Sequence, residues 1–169
     1  AWLSRRSRKF DPKRRWLLRS AAGAALGAPA AACGLGAYVA GTQIGACEVE
    51  ARIPGLPAGL DGLRLAQLTD IHFGAFLGSR QLQRAVGLAN EWRPHLAVVT
   101  GDFITDPGDP LDECLRGLAL LRASDGVFAC CGNHEAYARA EAYCAVLGAQ
   151  LGIQVLRGRS RLLRFGTTL

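Results

Sequence analysis

The sequence predicts an α/β domain with a largely parallel sheet, preceded by an N-terminal signal or anchor segment. Three observations carry that prediction. Short apolar runs at 63–68, 95–100 and 127–131 alternate with segments of helical periodicity, the pattern of right-handed β-α-β crossovers. Each of those runs leads into a cluster of Gly, Asp, Asn or His. A basic block followed by a long uncharged stretch fills the first 47 positions.

The N-terminal segment takes most of the chain's charge. Residues 1–19 hold eight basic side chains (Arg5, Arg6, Arg8, Lys9, Lys13, Arg14, Arg15, Arg19) and one acid, Asp11, a local charge of +7, so the other 150 residues carry −1 of the chain's +6. The globular part therefore has no electrostatic claim on nucleic acid. Residues 20–47 are 28 consecutive uncharged positions, 17 of them Ala or Gly, with Pro29 inside. That length can cross a bilayer as a helix, although only four residues are Leu, Ile or Val. A basic region before a weakly apolar run has the layout of an export signal or signal anchor. Lys13-Arg14-Arg15-Trp16-Leu17-Leu18-Arg19 resembles a twin-arginine signal, with Leu17 where Phe is commonest. Positive residues stay cytoplasmic, so the chain after Cys47 is expected on the outer face. Ala-x-Ala triplets at 28–32 and the Ile44-Gly45-Ala46-Cys47 stretch leave cleavage or acylation open beside an uncleaved anchor. The expected division is a basic tail over 1–19, an apolar anchor or signal over 20–47 and a folded domain over 48–169.

Half the residues are apolar and 20% are charged, enough for a packed core. Within 48–169, residues 48–53 alternate like a strand, and Pro54, Gly55, Pro57, Gly59 and Gly62 make a turn-rich connection. The 63–68 run delivers Asp70 and His72, which share a side if the backbone is extended, followed by Gly74. Ser79 is the expected N-cap of a helix through Glu91, with Leu82, Val86 and Ala89 on one face. The 95–100 strand runs into Gly101-Asp102. Pro110 is expected at the first position of a helix whose apolar face carries Leu115, Leu118 and Leu121. The 127–131 strand runs directly into Gly132-Asn133-His134-Glu135. A helix through Tyr143 and Leu147 and strands over 153–156 and 162–165 complete the expectation. Six cysteines show no CxxC or CxxH spacing. Cys130 and Cys131 read as small core residues, and a Cys114–Cys144 disulfide is conceivable in an exported domain.

In a parallel sheet the three strand ends lie along one edge, where open α/β sheets bind ligands. Singly, Asp102 could cap a loop, Asn133 could occupy a left-handed turn and His134 could lie on the surface. In succession they point to one site, whose carboxylate, imidazole and amide donors suit a hard or borderline divalent cation. The blocks D-x-H (Asp70, His72), G-D (Asp102) and G-N-H-E (Asn133, His134, Glu135) resemble those of the calcineurin-like metallophosphoesterases, whose signature continues with a lone His and G-H-x-H. The resemblance covers 48–169 and is nearest the exported or membrane-anchored bacterial branch.

That resemblance implies a metallophosphatase-like β-α-β sandwich, incomplete in this chain. It implies a metal-dependent phosphoester hydrolase, acting on monoesters or diesters through a two-metal-activated hydroxide. The cofactors would be two divalent ions of the Mn, Fe or Zn kind. Asp70 and His72 would bind the first metal, Asp102 would bridge both and Asn133 would bind the second. His134 would be catalytic, stabilising charge or protonating the leaving group, and Glu135 would orient it. The only histidines are His72, His95 and His134, and His95 precedes its strand, where a structural role is expected. The chain is therefore expected to be a fragment with part of the metal site, inactive alone, from an intact protein that is a hydrolase. The rival reading is a membrane-tethered, non-catalytic binding module of the same fold. Membrane attachment favours a lipid-linked or envelope phosphoester as substrate. No Gly-rich phosphate loop follows any strand, which disfavours a nucleotide-binding domain.

Overall fold

The computed structural model describes residues 11–42, 44–74 and 77–165. The chain divides into two compact units, one ending at Gln43 and one beginning at Ile44. Among its described residues the first contains one helix, α1, Pro12–Thr42. Its 31 residues span about 46 Å at 1.5 Å per residue. Asp11 caps it, its Oδ1 accepting the Lys13 and Arg14 backbone N–H groups at 2.9 and 3.2 Å. Pro12–Val39 is long and apolar enough to cross a membrane, judged by length and composition. The basic residues from Lys13 to Arg19 lie within this helix; Arg5, Arg6, Arg8 and Lys9 fall outside the described residues.

The second unit is an α/β fold on a four-stranded, all-parallel sheet. Its strands β1 (Leu65–Leu68), β2 (Leu96–Thr100), β3 (Val127–Cys130) and β4 (Ile153–Val155) lie in the order β1-β2-β3-β4. Every crossover carries helix: α2 (Ser79–Glu91), α3 (Leu111–Leu118), then α4 (Asn133–Tyr137) and α5 (Glu141–Gln150). The periodicities explain the packing. Leu82 and Val86, four apart on α2, and Leu115 and Leu118, three apart on α3, are buried with Leu121 just beyond α3. They meet Leu68, Ala97, Val99, Ala129 and Ile153 of the sheet and Cys144 and Leu147 of α5 in one core. Each fully buried Leu or Val contributes about 1.5–3 kcal/mol of transfer free energy.

Several expectations are corrected. Residues 48–53 alternate in polarity but form no strand, because the stretch is exposed throughout. Residues 162–165 likewise form no strand. Ser79 opens α2 rather than capping it: Gly78 is the N-cap, and the Ser79 hydroxyl donates instead to the Glu113 carboxylate. Pro110 stands one position earlier than expected, at the N-cap of α3. The segment after β3 forms two helices, broken near Arg139, whose φ is +53°. Cys130 is exposed, because the sheet face carrying Leu65, Gln67, Thr100 and Cys130 is left open, while Cys131 is half-buried and packs against the core.

Candidate metal centre

The site is built by loops that leave the carboxyl ends of β1, β2 and β3. Beyond the strands the β1 and β2 loops stay zipped: the His72 N–H donates to the Asp102 carbonyl and the Phe73 N–H to the Phe103 carbonyl, both at 2.8 Å. Phe73, Phe103 and Ile104 are buried beneath this zip and give it an apolar floor. The chain turns sharply at three site residues. Asp70, His72 and Asp102 have φ of +50°, +45° and +47°. Non-glycine residues rarely occupy this left-handed region, and such strain concentrates at functional sites.

These turns overturn one physical reason offered from sequence. Asp70 and His72 are not adjacent positions of an extended strand, because β1 stops at Leu68. Asp70 is exposed and its Oδ2 accepts the Thr69 hydroxyl. His72 turns inward.

His72, Asp102 and His134 each offer one ligand atom, and those atoms lie within 4.8 Å of one another. His72 Nε2 stands 4.0 Å from Asp102 Oδ2, too far for a hydrogen bond. The two imidazoles meet edge to face with centroids 4.9 Å apart. Donor atoms each about 2.0–2.2 Å from a shared cation lie about 3–4 Å apart, so modest closure would let this N/O set hold a divalent ion. Asp70 is not in that trio. Asn133 is the first residue of α4 and is exposed.

A backbone carbonyl sets the tautomer of His134. The Thr105 carbonyl can only accept, so His134 Nδ1–H donates to it at 2.6 Å and Nε2 is left for chemistry. The Thr105 hydroxyl pairs with His72 Nδ1 at 3.2 Å, again leaving Nε2 toward Asp102. Thr105 was missed in the sequence. Its only signal there is its place three residues after Asp102, and its partners lie 33 and 29 positions away.

Glu135 is wholly buried. Its Oε1 accepts the Phe103 and Ile104 N–H groups at 2.8 and 3.2 Å, and its Oε2 the Gly132 N–H at 2.8 Å. It thereby ties the β2 loop to the β3 loop, while Thr105 holds the His134 ring. Asp102 Oδ1 also accepts the His134 N–H at 3.2 Å. The loops approach so closely that a Cβ on Gly132 would overlap the Asp102 carboxylate. Asp109, between the site loop and α3, accepts the Asp106 and Thr105 N–H groups at 2.8 and 2.9 Å, and these bonds hold its carboxyl below the usual range. Behind the site, burial and then the neighbouring Glu135 push the Cys114 thiol up to about 12, and it donates to the Phe103 carbonyl at 3.5 Å.

The calcineurin-like phosphoesterase family model matches residues 63–160. The chain belongs to that family. A Danio rerio protein described as a transmembrane protein with metallophosphoesterase domain is 34% identical over 110 residues, covering 64% of this chain and 25% of that protein. The UDP-2,3-diacylglucosamine pyrophosphatase LpxG of Chlamydia muridarum is 34% identical over 85 residues, 50% of this chain and 26% of that one. YkuE of Bacillus subtilis, an uncharacterized metallophosphoesterase, is 32% identical over 83 residues, 47% of this chain and 29% of that one. The chain thus spans about a quarter of the length of these relatives. No solved structure matches it.

Proposed function

We propose that the intact protein is a membrane-anchored metallophosphoesterase whose carboxyl-edge site hydrolyses a phosphoester with two divalent ions. The observation that carries this reading is the convergence of His72, Asp102 and His134 at the ends of successive strands. In it, Asp70 and His72 would hold one ion, Asn133 would hold the other through its neutral amide oxygen, and Asp102 would serve both. Bound there, the ions would polarise the phosphoryl oxygens and lower the pKa of an attacking water.

The chain's own residues do the remaining work. Asp102, clamped by the loops that Glu135 joins, presents a carboxylate without reorganisation at the moment of reaction. His134, with Nδ1–H committed to Thr105, turns Nε2 toward the substrate, where it stabilises developing charge or, when protonated, delivers a proton to the leaving oxygen. The chain as given supplies part of the ligand set, so alone it is inactive or nearly so.

The apolar α1 and the transmembrane description of the Danio relative favour an anchor. The basic residues at its start favour the globular unit on the outer face, and the Lys13–Arg19 stretch favours twin-arginine export. A lipid-linked phosphoester or pyrophosphate is the substrate class this location suits, and LpxG, by its name, acts on such a compound.

The test uses the full-length protein in detergent with Mn2+, assayed on p-nitrophenyl phosphate and bis-p-nitrophenyl phosphate, with bound metal counted by mass spectrometry. The expected result is metal-dependent hydrolysis with two ions per chain, and negligible turnover by residues 1–169 alone. A full-length protein that binds no metal and releases no nitrophenol is a tethered binding module, and the proposal fails.

A further inference from the structure

At the edge of the sheet opposite the candidate metal centre, the segments entering the strands surround a cavity of about 840 Å3. Arg64 stands directly before β1, Arg93 and His95 before β2, and Arg122 and Ser124 before β3, and all five line it. These segments are laced together. The Arg64 N–H donates to His95 Nδ1 at 2.9 Å, the Arg122 N–H to Asn90 Oδ1 at 2.7 Å, and the Ser124 N–H to the Pro94 carbonyl at 3.3 Å.

The charge of the cavity is one-sided. The Arg64 guanidinium donates through Nε and Nη2 to the Arg93 carbonyl, which fixes the group and leaves its other N–H donors unused. The Arg93 and Arg122 guanidinium groups make no ion pair or hydrogen bond among the described residues. Glu91 and Asp125, the acids nearest in sequence, do not line the cavity, and the Asp125 carboxylate accepts the Ser124 hydroxyl at 2.8 Å. Three arginines therefore share one concave surface without a carboxylate in its lining. Arg93 is also costly where it stands. It follows Trp92, the C-cap of α2, with φ of +49°, a helix-end conformation in which glycine is the usual residue. Terminating α2 does not call for this side chain.

We propose that the amino-edge cavity is a second, non-catalytic binding site that takes a phosphate-bearing anion. Guanidinium forks match the oxygens of phosphate in pairs, and their charge is opposite to its own. A phosphate group has enough acceptor oxygens to meet three guanidinium groups, whereas a monocarboxylate has only two. A soluble phosphate compound and a phospholipid headgroup present the same oxygens to these side chains. The site shares no residue with His72, Asp102 or His134, so it stands whether or not the carboxyl edge is a phosphoesterase centre.

The test is isothermal titration of the chain in zwitterionic detergent with inorganic phosphate, with pyrophosphate and with acetate. EDTA keeps the metal centre from contributing, and physiological ionic strength screens the exposed basic tail. Saturable binding of phosphate and pyrophosphate at one site per chain is expected, with none for acetate. Arg93→Gly and Arg122→Ala are each expected to weaken it about 10-fold, and Arg122→Lys to recover part of the loss. Arg93→Gly relieves the left-handed backbone and keeps the carbonyl that holds Arg64, so its Tm is expected within about 3 °C of wild type. Repeating the titration with phosphatidylglycerol in the micelle assigns the source. Competition marks a lipid headgroup, an unchanged affinity marks a soluble anion, and both uphold the site. The proposal is overturned by an absence of saturable heat, by acetate binding as tightly as phosphate, or by phosphate binding that both arginine variants leave intact. The wild-type titrations and Arg122→Ala decide the matter even if Arg93→Gly fails to fold.

Discussion

The two edges of the sheet use the same side-chain chemistry to opposite ends. At the amino edge, His95 sits one residue before β2. Its Nδ1 accepts the Arg64 backbone N–H at 2.9 Å, and its own N–H returns a bond to the Arg64 carbonyl at 2.9 Å. The Arg64 guanidinium donates twice to the Arg93 carbonyl, at 3.0 and 2.9 Å. Asn90 donates to the Leu120 carbonyl and accepts the Arg122 N–H, at 2.9 and 2.7 Å. Side chains here close backbone groups that the ends of strands and helices leave open. At the carboxyl edge the relation is inverted. Backbone groups hold the side chains: the Thr105 carbonyl takes one nitrogen of His134, and N–H groups take the oxygens of Glu135. His72 keeps its second nitrogen 4.0 Å from the Asp102 carboxylate, and His134 keeps Nε2 free of the Thr105 carbonyl. A histidine whose role is spent on the backbone is structural; one held by the backbone with a free nitrogen facing a carboxylate is poised for a ligand.

The sharpest way to break this contrast is to remove the Asp102 carboxylate. In full-length protein, Asp102→Ala is expected to lower phosphoesterase kcat by about 10³-fold or more and to reduce bound metal below two ions per chain. Asp102→Asn, which keeps the shape but only one neutral acceptor oxygen, is expected to fall nearly as far. Unchanged turnover and metal content would show that the carboxyl edge is as inert as the amino edge.

Next in size are the residues that hold the carboxyl edge together. Glu135→Ala leaves two buried N–H groups and one half-buried one without their acceptor, and a stability loss of about 3 kcal/mol is expected in urea melts. Glu135→Gln keeps one acceptor oxygen and is expected to cost about half of that. Gly101 has φ of +82°, and a Cβ there would stand 2.5 Å from the Gly132 nitrogen. Gly101→Ala is therefore expected to cost about 2 kcal/mol and to loosen metal binding, because the β2 and β3 loops must separate. Wild-type melting behaviour in both variants would mean that the loops are not mutually braced.

How far the sequence reveals this arrangement depends on whether the cause is local. β1, β2 and β3 are legible because each pairs a short apolar run with Gly or Asp turn chemistry, and both signals lie within a few residues. The site edge is legible for the same reason: Gly101-Asp102 follows the end of β2 and Gly132 caps the helix after β3, each within two residues of its strand. Glu135 was visible as a neighbour of His134, but its hold on Phe103 and Ile104 is a tertiary fact. Residues 48–53 misled because alternation specifies a face and not a neighbour to pair with. Cys130 misled because continuous apolar strands imply two covered faces, whereas one face of this sheet is open around Gln67, Thr100 and Cys130. The inward aim of His72 depends on left-handed backbone that no periodicity encodes.

The smallest expected effect tests the other half of the comparison. His95→Ala removes the acceptor for the Arg64 N–H and one side-chain anchor between the start of β1 and the start of β2. The Arg64 carbonyl keeps its bonds from the His95 and Leu96 N–H groups, at 2.9 and 3.2 Å, so the ladder itself survives. Arg64 is exposed, and water can take over its lost bond, which limits the cost to about 1 kcal/mol in a urea melt. Since this histidine has no free nitrogen facing a carboxylate, metal content and kcat of the full-length protein are expected to match wild type. His95→Asn, whose amide oxygen can accept the same N–H, is expected to recover part of the lost stability. A His95→Ala protein that folds normally yet loses metal or turnover would mean that the two edges are coupled, and that a spent ring nitrogen is no guide to a histidine's role in this fold.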